Sequence, residues 1–136
     1  MANYRIDDVE GIGAKLDSKL RDAGIKDTDS LLEATRSPRG RRDLSEKAGI
    51  STERLLQFAN MVDLYRISGV GSEYAELLEA AGVATVPDLA RRNASNLAQK
   101  LAEINDAKKL TRRVPPEKDV TRWVEEAKTL PKIITH

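Results

Sequence analysis

Gly11-Ile12-Gly13 and Gly69-Val70-Gly71 decide the fold: each is a Gly-apolar-Gly triplet followed by apolar residues at helical spacing, and the two lie 58 positions apart. The same offset carries Leu16 onto Tyr74, Leu20 onto Leu78, Ala23 onto Ala81, Gly24 onto Gly82, Ile25 onto Val83 and Leu31 onto Leu89. Matches at one fixed offset read as internal duplication. Two glycines around one apolar residue favour a tight turn, because glycine accepts positive φ and lets the backbone approach a neighbour closely. Ile12 and Val70 are then expected to be buried and to pin the turn.

Upstream, the spacing reads Ile6-x-x-Val9-x-Gly11-Ile12-Gly13 and Leu64-x-x-Ile67-x-Gly69-Val70-Gly71. This pattern resembles the helix-hairpin-helix signature. With its Ala23-Gly24-Ile25 and Ala81-Gly82-Val83 sequels, the whole chain also resembles an uncharacterised bacterial family of duplicated helix-hairpin-helix proteins, the domain of unknown function numbered four-three-three-two. That family name implies a fold and no activity. The wider motif class implies sequence-independent contact with a nucleic-acid backbone, although many members use the motif for packing or for binding protein.

Val and Ile fall at helical spacing and no alternating run exceeds four residues, so the chain reads as all-α. The expected architecture is tandem helix-hairpin-helix repeats in two pseudo-equivalent halves of short helices, 1–64 and 65–136, packed as one compact unit. After the first triplet the spacing predicts a helix over about 14–23, ended by Gly24. Asp27 or Thr28 caps a short helix carrying Leu31 and Leu32, and Ser37-Pro38 opens another. Ser51 is expected to cap a longer helix that buries Leu55, Leu56, Phe58, Ala59 and Val62. Gly49-Ile50-Ser51 then reads as a degenerate turn, with serine for the second glycine. In the second half, Pro87 and Asp88 open a short helix, Ser95 caps the next, Val114-Pro115-Pro116 stands where Ile50-Ser51 stood, and Pro116 begins the last helix. Phe58 matches Trp123 only at an offset of 65, so about seven residues are inserted between Asn105 and Arg113, as a functional elaboration or a longer helix.

The residue inventory argues against catalysis. Cysteine is absent and His136 is the only histidine of 136 residues, which removes histidine-based triads and His/Cys metal sites. The 22 carboxylates read as solvated faces and caps. No enzyme activity, cofactor or metal is expected. Met1 to Glu10 carries no signal-peptide pattern and no apolar run approaches the roughly 18 residues of a membrane span, so the cytoplasm is the expected location. The lack of cysteine suits a reducing compartment.

Binding chemistry is more definite. The amides of Gly13 and its successors are expected to open a helix, where unpaired N–H groups and the helix dipole favour an anion. Lys15 and Lys19 lie four residues apart and so share a side of that helix. A lysine two places after the second glycine resembles the DNA-binding form of the motif. That form carries a small residue four places after the glycine, where this chain has Asp17; the second triplet restores Ala75 there but has Glu73 in the lysine place and Glu76 nearby.

Net charge is only +1, yet it alternates along the chain: −3 over 1–33, +3 over 34–66, −3 over 67–106 and +4 over 107–136. Arg36, Arg39, Arg41 and Arg42 form the densest basic cluster, and Lys108, Lys109, Arg112 and Arg113 the next. The expected function is therefore a non-enzymatic module that binds nucleic-acid backbone through Gly11, Ile12, Gly13, Lys15, Lys19, Arg36, Arg39, Arg41 and Arg42, with Gly69, Val70 and Gly71 as a second turn. The alternative is a protein-binding or self-assembling scaffold, a homo-oligomer included, steered by the charge alternation. No membrane partner is expected.

Overall fold

The computed structural model describes residues 3–136. Among them the regular structure is a 3-10 turn (Ile6–Asp8) and eight helices: α1 (Ala14–Asp22), α2 (Thr28–Thr35), α3 (Pro38–Ala48), α4 (Thr52–Leu64), α5 (Ser72–Ala80), α6 (Val86–Ala90), α7 (Ala94–Lys108) and α8 (Glu117–Ala127). The fold is all-α. No strand occurs among the described residues beyond one isolated bridge between Arg5 and Asp27.

The chain divides into two units. The first comprises 3–63 together with Ile133–His136, and the second Leu64–Lys132.

In the first unit the helix boundaries follow local chemistry. Asp27 accepts from the Ser30 amide (2.8 Å) while the Ser30 hydroxyl accepts from the Asp27 amide (3.2 Å), a reciprocal cap at the start of α2. Ser37 caps α3 through the Gly40 amide (3.0 Å) with Pro38 in the first turn, and Ser51 accepts from the Arg54 amide (3.1 Å) at the start of α4. Gly24 and Gly49 stop α1 and α3 at φ 91° and 70°. The helices bury Ile6, Leu20, Leu31, Leu44, Ile50, Leu55 and Phe58. α2 and α3 approach so closely that a Cβ on Gly40 would overlap the Ala34 carbonyl oxygen.

The last four residues complete this unit. Ile134 is buried, and the Thr135 amide donates to the Arg36 carbonyl (2.7 Å). Arg41 locks the segment in place, donating Nη1–H to the Thr35 carbonyl and Nη2–H to the Thr135 carbonyl, both at 2.8 Å.

In the second unit α8 packs on α6 and α7, and α5 on α7. Leu77, Leu78, Val83, Leu89, Leu97, Leu101, Val120 and Trp123 form its core. Three expectations change here. α7 begins at Ala94, not after Ser95, because Asn93 has the extended backbone of a cap and its side-chain oxygen accepts from the Asn96 amide (3.0 Å). α8 begins at Glu117, with Pro116 as the extended residue before it (φ −70°, ψ 158°) and not its first residue, after the buried Pro115 and the 38% exposed Val114. The insertion is part helix and part ordered loop: α7 runs to Lys108, and the Asn105 side chain then bonds both the amide (2.8 Å) and the carbonyl (3.1 Å) of Thr111.

Candidate functional site

The two Gly-apolar-Gly turns have the same backbone. The Ile12 amide donates to the Val9 carbonyl (3.0 Å) and the Val70 amide to the Ile67 carbonyl (3.1 Å). Gly11 and Gly69 have φ of 92° and 87°, a region that disfavours any side chain. Ile12 and Val70 are buried and anchor each turn. The second glycines differ from expectation: Gly13 (φ −89°, ψ −173°) and Gly71 (φ −104°, ψ −162°) are extended N-cap residues that need no glycine for their φ. A Cβ on Gly13 would meet nothing within 4 Å, so glycine there keeps the start of α1 uncovered.

α1 and α5 both start without a side-chain cap, and what sets the first turn apart is the basic residue beside those amides, Lys15 where the second turn has Glu73. The helical ladder begins with the Asp17 amide donating to the Gly13 carbonyl (2.9 Å), so the amides of Ala14, Lys15 and Leu16 precede it, and no side chain caps them. Lys15 is exposed beside them and Lys19 is half-buried. Asp17, the expected obstacle, is engaged by Arg21 in a two-bonded ion pair (2.9 and 3.1 Å), which offsets its charge.

Each turn also rests on an aromatic ring with an arginine beside it. Phe58 of α4 lies 3.4 Å from the Cβ position of Gly11. Arg54 stacks over that ring (5.4 Å to the centroid) and donates Nη2–H to the Gly11 carbonyl (3.3 Å). In the second unit, Trp123 Nε1 and Arg122 Nη2 lie 3.7 and 3.6 Å from the Cβ position of Gly69, and Tyr74 packs tilted on Trp123 (5.3 Å between ring centroids). Sequence reasoning missed Arg54 and Arg122. The signal for Arg54 was its position one helical turn before Phe58, which puts both on one face of α4.

The second turn is chemically different. The Glu126 carboxylate accepts from the Ser68 amide (3.1 Å) and from its hydroxyl (3.4 Å), and Glu73 stands in the first turn of α5. A carboxylate of the chain thus already occupies donors next to Gly69.

The basic cluster does not converge on the first turn as a group. Arg41 is 6% exposed, bonded to two carbonyls, and its proton affinity is lowered by burial; it closes the unit and does not face solvent. Arg36 is exposed and paired with Glu33 (3.2 Å), and Arg39 and Arg42 are exposed on α3. Gly40 of α3 lines one open groove with Ala23 and Ile25, which follow α1, so the first turn of α3 sits by the far end of α1 from Gly13. Nine residues of helix separate those ends by about 13 Å.

Among the described residues no group of three or more His, Asp or Glu is placed to hold a metal, and no helix is long and apolar enough to cross a membrane. The chain belongs to the family described as a domain of unknown function (DUF4332), whose model matches residues 10–130 and so takes in both turns. No curated protein and no solved structure matches it.

Proposed function

We propose that the chain is a non-enzymatic, cytoplasmic module built from two helix-hairpin-helix units of common origin, and that its first turn grips a nucleic-acid backbone without reading sequence. The observation that carries this is the uncapped start of α1, with three amides ahead of the ladder, exposed Lys15 alongside, and Arg54 fixed to the Gly11 carbonyl. Oriented amides and a helix dipole with flanking cations suit a phosphate oxygen, and such contacts position a protein on a duplex without specifying bases. Arg39 and Arg42, exposed on α3, would add further phosphate contacts. Arg41 takes no part. Matching backbone geometry at both turns supports common origin of the two units.

Fluorescence anisotropy of labelled duplex and single-stranded DNA tests this, with wild type and a Lys15→Glu, Lys19→Glu variant titrated from about 50 to 200 mM salt. The expected result is affinity that falls with salt and is lost in the variant. Absence of wild-type binding near 10⁻⁴ M protein, about the limit for weak non-specific association, would overturn the proposal. The acidic second turn favours a second reading, protein binding or self-assembly; a light-scattering mass above that of one chain would support it.

A further inference from the structure

We propose that the α7–α8 loop is a second phosphate-contacting surface, which extends the backbone-binding reading above to the inserted segment. Lys108, Lys109, Arg112 and Arg113 are all exposed there, within six residues. Among the described residues the one carboxylate paired with any of them is Asp106, itself exposed and 3.7 Å from Lys109. Like charges crowded in this way repel, and a flexible loop would spread them. This loop is instead held shut from below. Asn105, buried to 6% exposure, binds both backbone groups of Thr111, and the Thr111 hydroxyl donates to the Arg113 carbonyl (2.8 Å).

Lys109 supplies an independent sign. It is the one non-glycine residue with positive φ among those described (φ 54°, ψ 45°), and it stands in the helix-ending position that glycine fills after α1 and α3. Glycine or asparagine would be the more stable occupant. A residue kept in a strained conformation where a common alternative relieves the strain points to a use for its side chain. Its ammonium group, with the two guanidinium groups that follow, is carried on a backbone fixed by Asn105 and Thr111 and presents exposed donors suited to phosphate oxygens.

The test compares wild type with Lys109→Asn and with Arg112→Gln, Arg113→Gln on a short labelled DNA duplex, measuring the salt slope of binding and the melting temperature. Asparagine accepts the left-handed conformation without the charge, so Lys109→Asn should melt at or above the wild-type temperature. Its slope should be shallower by about 0.9, and that of the arginine pair by about 1.8. If wild type binds, the Lys15→Glu, Lys19→Glu variant does not, and the loop variants keep the wild-type slope, this inference falls while the first-turn reading stands. Wild-type protein that binds no duplex overturns both. Weaker binding that merely follows a lower melting temperature would assign the loop a structural role and overturn the inference as well.

Discussion

Asp27 shows how much one side chain settles locally. Its bonds from the Ser30 hydroxyl and amide, with Asn3 adding a third, hold its carboxyl below the ordinary carboxylate range. A carboxyl depressed in the folded state stabilises above its unfolded pKa, about 3.9, and that contribution is lost as pH falls through the folded value. Asp27→Asn is thus expected to be less stable than wild type at pH 7, with the gap closing below about pH 4 in urea titrations at each pH. A gap independent of pH would show that the cap acts through geometry alone. Arg41 makes the opposite point about charge. Reading arginine clusters from sequence treats every member as a surface cation, yet this one satisfies two backbone carbonyls inside the unit. Its neighbours Arg39 and Arg42 point the other way because adjacent helical residues do not share a face.

At the scale of elements, most helix starts were legible because they depend on neighbours in sequence. Asp27, Ser37 and Ser51 cap where the residue types said they would. The start of α7 was ambiguous because two competent caps, Asn93 and Ser95, stand two residues apart; Asn93 takes the Asn96 amide, and periodicity could not choose between them. The turns were legible as turns, since only glycine suits the φ of Gly11 and Gly69. What surrounds them was not: Arg54 and Glu126 reach them from 43 and 58 residues away in sequence, from Gly11 and Ser68 respectively. No local pattern records such distances. The two glycines of the first turn therefore part company experimentally. Gly13→Ser supplies a side-chain cap at a backbone conformation serine already favours, and should raise stability by a few tenths of a kcal/mol. The same hydroxyl would occupy amides assigned here to phosphate, so duplex affinity should fall. Thermal melts and anisotropy on one sample check both signs, and a rise in both would remove the amides from the proposed contact.

For the molecule as a whole, the near-neutral total conceals where charge is used. The acidic residues of the second unit's turn and the basic residues of its inserted loop nearly cancel in any overall count, so net charge alone gave no guide to binding. The return of Ile133–His136 to the first unit was equally illegible, because a short segment without periodicity carries no sign of its destination. Deleting 133–136 exposes the pocket that Ile134 fills and leaves an Arg41 donor unpaired. Burial of one such side chain contributes about 1.5–3 kcal/mol, and a lost bond to a charged donor adds about 1–3. The truncated chain is expected to be less stable by about 2.5–6 kcal/mol in urea titration, with amide exchange accelerated around α2 and α3 while the core of α7 and α8 keeps its protection. Uniform acceleration in both units would count against separate stabilities.

The same clasp puts synthesis and completion out of step. A ribosome emits the first unit's helices before any of the second, yet the buried arginine among them waits for a partner carbonyl at residue 135. The second unit has its whole sequence, 64–132, in one uninterrupted run. The unit begun earliest is thus finished last: a chain cut back to residue 132 keeps every residue of the second unit while the first stays open at Arg41.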